Sequence, residues 1–193
     1  MDKMNSVSAS RRTFFTTKNM SLIGLMTALT CVLGPLAIPL PFSPVPISFT
    51  NLAVYLAVYV LGMKAGTVSY LVYLLLGMAG LPVFSGFTGG LGKLAGPTGG
   101  YLIGFIFMAM ISGFAIDRFP GKKLIHAVGL VLGTGVCYLF GTIWLAQQLG
   151  VSFTAGLASG VIPYLPGDTA KILFALVIGS RLRREISHLS LRN

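Results

Sequence analysis

The sequence has few charged residues, and acidic residues are the rarest among them. Only 4 Asp and Glu stand against 14 Lys and Arg in 193 residues, and charged residues make up 9% of the chain. Soluble domains carry about 25% charged residues, so this composition excludes an ordinary soluble protein. Hydrophobic residues reach 54% and the mean hydropathy is +0.85, which is typical of an integral membrane protein.

Reactive and metal-binding residues are also sparse. The 2 cysteines, Cys31 and Cys137, lie in apolar segments without a nearby histidine or second cysteine, which argues against a disulfide or a metal site. No nucleophile–base set is present, so the sequence does not indicate an enzyme. The glycine-rich run around Lys93 is not a Walker A loop, because Leu94 stands where Ser or Thr is required. We therefore expect no cofactor, and any ATP must be used by partner subunits.

Long uncharged runs fill most of the chain. The segments without Asp, Glu, Lys or Arg are 19–63, 65–92, 94–116 and 124–167. A membrane-spanning helix needs about 20 residues, so these runs and the segment from Asp168 onward predict an all-α integral membrane protein with six spanning helices. A turn between the second and third helices is predicted at 62–66, which contains two glycines and Lys64. The predicted membrane domain is 19–184, between a basic cytoplasmic tail at 1–18 and a second tail at 185–193.

The basic residues predict the orientation in the membrane. If the helices alternate in direction, one side carries four Lys or Arg in the N-terminal tail, four from Arg181 onward, Lys64, and three more in the turn at 117–123, whereas the opposite side carries only Lys93. By the positive-inside rule both termini face the cytoplasm, which predicts a multi-pass membrane protein. The net charge of +10 is thereby explained without nucleic acid as a partner.

The three predicted outside loops are irregular in composition. Segment 35–46 holds five prolines, segment 81–100 is rich in glycine, and segment 150–167 leads into Asp168. Non-helical backbone at membrane depth is tolerated where it lines a cavity, because lipid cannot satisfy its amides and carbonyls. We therefore expect these loops to converge on one outward-facing pocket.

Asp168 and Lys171 are charges inside the last predicted helix. The Pro166-Gly167 pair predicts a helix start, which places both side chains in the first turns and on one face. The helix dipole favours Asp168 there but opposes Lys171, so Lys171 needs a partner or a ligand. A charge at this depth costs about 2.5–3.5 kcal/mol, which favours a binding role, although a structural ion pair to a neighbouring helix fits the same pattern.

Other segments supply further candidates for the pocket and for a partner surface. Amides of the glycine-rich segment before the fourth helix can bind an anion. Asn51 begins a polar stripe with Tyr55 and Tyr59 that fits either a pocket wall or interhelical hydrogen bonds. The small residues Gly24 and Ala28 allow close approach of another helix, either within the protein or from a partner.

Four motifs together resemble one known family. They are Pro44-Val45-Pro46-Ile47, Gly80-Leu81-Pro82-Val83-Phe84, Gly96-Pro97-Thr98-Gly99-Gly100-Tyr101-Leu102-Ile103-Gly104 and Pro166-Gly167-Asp168-Thr169-Ala170-Lys171. In this order they look like the BioY family, the biotin-specific S components of energy-coupling-factor (ECF) transporters, over about 20–181. The resemblance implies a six-helix S-component fold and capture of biotin from outside. It also implies import by a transmembrane coupling subunit and two ATPases.

The resemblance assigns roles to the candidate residues. Asp168 and Lys171 are expected to bind the ureido ring, whose two N–H groups and carbonyl suit a carboxylate and an ammonium. Asn51 is a further substrate-binding candidate on the second helix. The biotin carboxylate is expected at the glycine-rich segment, and aromatic side chains are expected along the apolar middle of the ligand. The glycine-segment candidates are Gly89, Gly90, Thr98, Gly99 and Gly100, and the aromatic candidates are Phe42, Phe84, Tyr101 and Tyr164.

The expected partner surface includes one departure from the family. The first helix of the family usually carries Ala-x-x-x-Ala, whereas this chain has Gly24-x-x-x-Ala28. Both residues are small, so contact with the coupling subunit is still expected there. Two alternative functions stay open, an S component for another small vitamin and a proton-coupled carrier that uses Asp168.

Overall fold

A computed structural model describes the chain over residues 16–191, with side chains described through residue 186. The predicted tail at 1–18 therefore lies mostly outside the described residues. Seven helices and two strands form a single bundle. Their bounds are α1 Thr17–Leu33, β1 Ala37–Leu40, β2 Ser43–Ser48, α2 Thr50–Met78, α3 Leu91–Ala95, α4 Gly99–Arg118, α5 Lys123–Leu149, α6 Phe153–Gly160 and α7 Leu165–Leu191.

Helix α2 folds back on itself at Gly62. This residue has φ 79° and ψ −177°, outside the helical region, and glycine adopts such a conformation without the penalty of a Cβ atom. A Cβ atom on Gly66 would lie 3.0 Å from the Val58 Cα, although residues eight apart in a straight helix are about 12 Å apart. The two arms are therefore antiparallel, which agrees with the predicted turn at 62–66.

The proline-rich segment 35–46, expected to be irregular, forms an antiparallel β-hairpin instead. Strand β1 pairs with β2 through Ala37 opposite Ser48 and Ile38 opposite Ile47, and the register shifts between Ile38 and Leu40 at Pro39. In a two-stranded hairpin every strand is an edge, so prolines that lack an N–H group are tolerated. The high proline content therefore led us to predict an irregular segment where the protein has a pair of β-strands.

The other two segments that were expected to be irregular each contain a short helix, α3 in the segment 81–100 and α6 in the segment 150–167. Helix α6 occupies the middle of the segment 150–167, with the Ser152 hydroxyl accepting from the Ala155 amide at its start, and a 3₁₀ turn over Ile162–Tyr164 follows. Helix α7 begins at Leu165, so Asp168 lies in its first turn as predicted. It continues to Leu191, and its backbone thus runs through most of the predicted tail at 185–193.

The described helices are long enough and apolar enough for a membrane protein. Four helical stretches meet both criteria for a span, and α1, with 17 residues, is a shorter apolar helix. The four are Thr50–Met78, Gly99–Arg118, Lys123–Leu149 and Phe153–Ile186. Large apolar side chains on α5, such as Leu132 at 59% exposure, face outward as lipid contact requires. The six-span count and the orientation stay predictions.

Close approach of α4 and α5 forms the centre of the bundle. A Cβ atom on Gly104 of α4 would lie 2.9 Å from the Cys137 Cα on α5, so the two backbones meet at this glycine. Tyr70, Met108 and Leu130 are fully buried around the contact. The hairpin, the segment 79–98 and helix α6 meet at one end of this bundle, here called the cavity end. Lys64, the turn at 118–123 and Arg181–Arg184 lie at the other, here called the basic end.

Candidate functional site

A cavity opens at the cavity end between β2, α2, α4, α5 and α7. The space between its walls is about 690 Å³ when the open mouth is counted. Its wall has a polar part and an apolar part. The polar part includes Ser48, Thr50, Asn51, Thr134, Tyr138, Asp168 and Lys171, and the apolar part includes Val45, Leu102, Phe105 and Met108.

Asp168 and Lys171 form a buried ion pair in the polar wall. The Lys171 Nζ lies 2.9 Å from the Asp168 Oδ1, and each side chain is 10% exposed. The spacing of three residues within the first turns of α7 brings the two groups together, as the sequence predicted. A buried pair is stable only when further hydrogen bonds satisfy both charges, so the neighbouring elements matter.

Three elements outside α7 complete these hydrogen bonds. Asn51 of α2 donates from Nδ2 to the Asp168 Oδ1 at 2.8 Å and accepts from Lys171 at 3.1 Å. The Ser48 carbonyl at the end of β2 accepts from Lys171 at 2.6 Å. Tyr138 of α5 donates its hydroxyl to the Asp168 Oδ2 at 2.5 Å. Three helices, α2, α5 and α7, and the strand β2 therefore meet at one buried ion pair.

Tyr138 and Ser48 are site residues that the sequence reasoning missed. Tyr138 lies in the uncharged run of α5, where a tyrosine has the pattern of an ordinary core residue. Ser48 contributes only its backbone carbonyl, and side-chain chemistry cannot indicate that contact. A signal for Tyr138 existed in principle, since buried tyrosine hydroxyls require a partner and Asp168 is an acidic residue in the first turn of the neighbouring helix.

Tyrosines fix the far wall of the cavity. The Tyr101 hydroxyl donates to the Gly160 carbonyl at 2.9 Å and so ties α4 to α6. The Tyr164 hydroxyl bonds the Val45 carbonyl and the Ser43 hydroxyl, which ties the 3₁₀ turn to the hairpin. Both rings line the cavity, so these two predicted aromatic candidates lie at the site.

The other two aromatic candidates lie elsewhere. Phe42 is at the tip of the hairpin between β1 and β2 and is 65% exposed. Phe84 is fully buried but packs its ring against Gly77 of α2 and edge-on against Tyr73 at 5.7 Å. Neither side chain lines the cavity in the described structure. Their positions depend on the hairpin and on the segment 79–90, which the sequence did not specify.

Most of the glycine-rich segment also packs rather than lining the cavity. Thr98 lines it, whereas Gly99 abuts the Leu94 backbone and Gly100 abuts the side chain of Trp144. Gly90 precedes the five-residue helix α3 with φ 87°, and a Cβ atom on Gly89 would collide with the Leu81 carbonyl. These four glycines therefore allow a tight path for the backbone beside the cavity.

The small residues on α1 border a separate apolar groove. Gly24 and Ala28 lie in it with Met20, Thr27 and Cys31, opposite Val68, Val72 and Leu76 of α2. A Cβ atom on Gly24 would meet no atom within 4 Å. Packing within the described part of the chain therefore does not require glycine at this position, and the groove is open to a neighbour.

A helical membrane bundle with a buried, hydrogen-bonded ion pair in a cavity at one end defines a membrane-embedded small-molecule-binding protein. Comparison with known proteins specifies this class further. Residues 4–188 match the model of the BioY family, so the chain belongs to the BioY family. It is therefore a multi-pass plasma membrane protein of a transporter family and not an enzyme.

Relatives and a solved structure agree with this assignment. A probable biotin transporter from Pyrococcus horikoshii is 37% identical, with 86% of this chain and 96% of that protein covered. A biotin transporter from Rhizobium etli is 38% identical, with 84% and 91% covered. The crystal structure of the S-component for biotin from an ECF-type ABC transporter matches with a TM-score of 0.82 at 33% identity, covering 88% of this chain and 95% of that one. The chain has the fold of that S-component.

Proposed function

We propose that this protein is the biotin-binding S component of an ECF-type ABC transporter and captures biotin in the cavity. The observation that carries the proposal is the buried network of Asp168, Lys171, Asn51 and Tyr138 in the cavity wall. A buried ion pair costs desolvation energy, and a chain with 9% charged residues retains one where a polar ligand group has to be bound. Membership of the BioY family supports biotin as the ligand.

The proposed arrangement places the ureido ring of biotin against this network. The tetrahydrothiophene ring and the valeryl chain of biotin then lie along Tyr101, Phe105 and Tyr164, which line the cavity. The carboxylate end points toward Thr98, which lies in the wall at the start of α4. Lys93 lies nearby in sequence on α3, where partial burial lowers the pKa of its ammonium group.

Direct binding to purified protein tests this proposal against another vitamin as the ligand. We expect biotin to raise the unfolding temperature, and equal concentrations of riboflavin, thiamine, pantothenate and niacin to leave it unchanged. Isothermal titration calorimetry then gives the dissociation constant for biotin. Stabilisation by one of the other vitamins without stabilisation by biotin would contradict the proposed ligand and leave the fold intact.

We propose that ATP enters only through partner subunits, namely one transmembrane coupling subunit and two ATPases. The groove beside Gly24 and Ala28 is the proposed contact surface for the coupling subunit, because a bulky residue of a partner helix finds open space there. Replacing Gly24 or Ala28 with Trp fills this groove. We expect these variants to bind biotin normally and to lose both co-purification with the coupling subunit and uptake.

Gly135→Trp is the matched control for this experiment. Gly135 lies on α5 and is exposed, and a Cβ atom added to it would meet no atom within 4 Å, as for Gly24. The control should retain assembly and uptake. Assembly of the Gly24→Trp and Ala28→Trp variants would locate the coupling surface elsewhere, and loss of biotin binding would instead assign the two residues to internal packing.

A proton-coupled carrier is less well supported by the contacts of Asp168. Its carboxylate already accepts hydrogen bonds from Lys171, Asn51 and Tyr138. Uptake in cells that lack the ATPase subunits distinguishes the two mechanisms. We expect uptake to stop in those cells and to persist in complete cells treated with a protonophore while ATP is maintained, and the reverse pattern would support the carrier.

A further inference from the structure

The donors of Lys171 are all used within the protein. An ammonium group has three N–H donors. They are directed to the Ser48 carbonyl at 2.6 Å, the Asp168 Oδ1 at 2.9 Å and the Asn51 Oδ1 at 3.1 Å. A ligand can bind Lys171 directly only by displacing one of these bonds. Lys171 therefore acts as a positioning residue that holds Asp168 and Asn51 in place.

Asp168 retains one position that can accept a hydrogen bond. A carboxylate has about four acceptor positions, two on each oxygen. The Oδ1 atom accepts from Asn51 and from Lys171, so both of its positions are occupied. Among the described residues, the Oδ2 atom accepts from the Tyr138 hydroxyl alone. One acceptor position on Oδ2 is left for a ligand.

Asn51 and Tyr138 each retain one kind of capacity. The Asn51 carbonyl oxygen accepts from Lys171 and from the Leu52 amide, whereas its Nδ2 has two N–H groups and gives one to Asp168. One N–H donor on Asn51 is left. Tyr138 has a single hydroxyl proton and donates it to Asp168, so its oxygen can only accept.

We infer that Tyr138 is a specificity-determining residue which accepts one N–H group of the ligand, an inference that rests on the proposed function. The remaining capacity of the network is two acceptors, the Asp168 Oδ2 and the Tyr138 oxygen, and one donor, the Asn51 Nδ2. The complementary ligand group has two N–H donors and one acceptor. The ureido ring of biotin carries this set, and Lys171 supports it through Asp168 and Asn51 rather than by direct contact.

The direction of the Tyr138 hydroxyl makes the site selective. Tyr138 donates its hydroxyl proton to the Asp168 Oδ2, so only acceptor positions are left for a ligand on these two oxygens. A ligand with an acceptor in place of one N–H group would oppose that acceptor to the Asp168 Oδ2 or to the Tyr138 oxygen. Two buried acceptors would then face each other without a hydrogen bond. Such a mismatch costs far more than the loss of an apolar contact.

Two biotin analogues and one variant test this inference. The analogues carry a methyl group on one or the other ureido nitrogen, so each lacks one N–H donor. The wild-type protein should bind each analogue at least about 10-fold more weakly than biotin. In Tyr138→Phe, which removes the hydroxyl and keeps the ring, biotin should bind about 10- to 100-fold more weakly. Discrimination against one of the two analogues should shrink by about 10-fold, since its missing N–H group no longer has an acceptor.

Tyr73→Phe is the control for the loss of a buried hydroxyl. Tyr73 is fully buried and donates to the Val83 carbonyl at 3.0 Å, but it does not line the cavity. This variant should bind all three ligands as the wild type does.

Equal weakening of all three ligands by Tyr138→Phe, or unchanged binding of biotin, would overturn the inference while the proposed function stands. Equal wild-type affinity for biotin and both analogues would also overturn it, and no wild-type affinity for biotin would overturn both.

Discussion

Two ion pairs of this protein lie at opposite ends of helix α7, and one of them is buried whereas the other is exposed to solvent. At the cavity end Lys171 and Asp168 are both in α7, 2.9 Å apart and 10% exposed. At the basic end Arg183 of α7 binds Asp117 of α4 at 2.7 Å, with 33% and 40% exposure. Helix α2 contacts each pair, through Asn51 at one end and through the backbone around Gly62 at the other.

The exposed pair has a structural task that its contacts explain. Asp117 accepts from the Met63 amide at 2.7 Å, and Arg183 donates to the Tyr59 carbonyl at 3.3 Å. The reversal of α2 at Gly62 leaves these backbone groups without helical partners, as at any helix end. Water reaches both charges, so the desolvation cost is small. This pair stabilises a helix reversal and joins α2, α4 and α7.

The buried pair bonds one backbone group, the Ser48 carbonyl, and supports no helix reversal. It joins two residues of one helix, which were already one turn apart, and it requires bonds from Ser48, Asn51 and Tyr138 to satisfy its charges. Well-packed apolar residues in place of such a pair are often equally stable or more stable. An ion pair that is buried in a cavity wall is therefore typical of a binding site. An ion pair that is exposed to solvent and caps the backbone at a helix reversal is typical of a structural role.

The largest effect should come from removing one partner of the buried pair. Lys171→Met leaves the Asp168 carboxylate buried without its counter-charge, and we expect the free energy of unfolding in detergent to fall by about 3–5 kcal/mol. The double variant Asp168→Asn with Lys171→Met removes both charges and should recover most of this stability. It should not recover biotin binding, as calorimetry would show. A double variant less stable than Lys171→Met would mean that the pair is structural.

The next largest effect concerns affinity. Asp168→Asn removes the charge at the cavity and should weaken biotin binding by about 1.5–3 kcal/mol, or about 10- to 150-fold, the range for a hydrogen bond to a charged group. Asp117→Asn makes the same chemical change at the exposed pair and should leave the dissociation constant within about 2-fold of wild type. Equal effects of the two substitutions on the dissociation constant would remove the distinction between the pairs.

A smaller effect is expected on stability at the basic end. Asp117→Ala leaves the Met63 amide without its acceptor, which resembles the loss of a helix cap and should cost about 1 kcal/mol. Arg183 can turn toward water, so no buried charge results. Glu185→Ala is the control, because its 3.8 Å contact with Arg184 is exposed and caps no helix. Thermal unfolding checks the order, and a loss of several kcal/mol for Asp117→Ala would show that this pair is as critical as the buried one.

The smallest effect on function should come from single cysteines that report which end faces outward. In a variant with Cys31 and Cys137 replaced by Ala, Ser152→Cys at the cavity end should react with a membrane-impermeant thiol reagent in intact cells. Lys122→Cys at the basic end should react only after permeabilisation, because the positive-inside rule places it in the cytoplasm. Both positions are exposed, so accessibility within the protein is not limiting. The reverse labelling pattern would place the cavity on the cytoplasmic side.

The sequence predicted the parts of the site that depend on local spacing. Asp168 and Lys171 lie in the first turns of α7 on one face, and Asn51, Thr98, Tyr101 and Tyr164 line the same cavity. It did not predict that Phe42 is exposed or that Phe84 packs on Gly77, because those positions follow from the hairpin and the segment after α2. Proline content excluded a helix at 35–46 but could not distinguish a β-hairpin from an irregular loop.

The sequence by itself determined the membrane class of this protein, the reversal at Gly62 and the ion pair of α7, because hydropathy, backbone freedom and helical spacing act within one segment. Only the tertiary structure decided which groups satisfy that pair. The Ser48 carbonyl, the Asn51 amide and the Tyr138 hydroxyl come from segments that are 123, 120 and 30 residues distant along the chain from their α7 partners. Tertiary packing decides which hydrogen-bond donors and acceptors meet and which are left without a protein partner. The acceptor positions and the donor that the cavity offers to a ligand therefore exist only in the folded bundle.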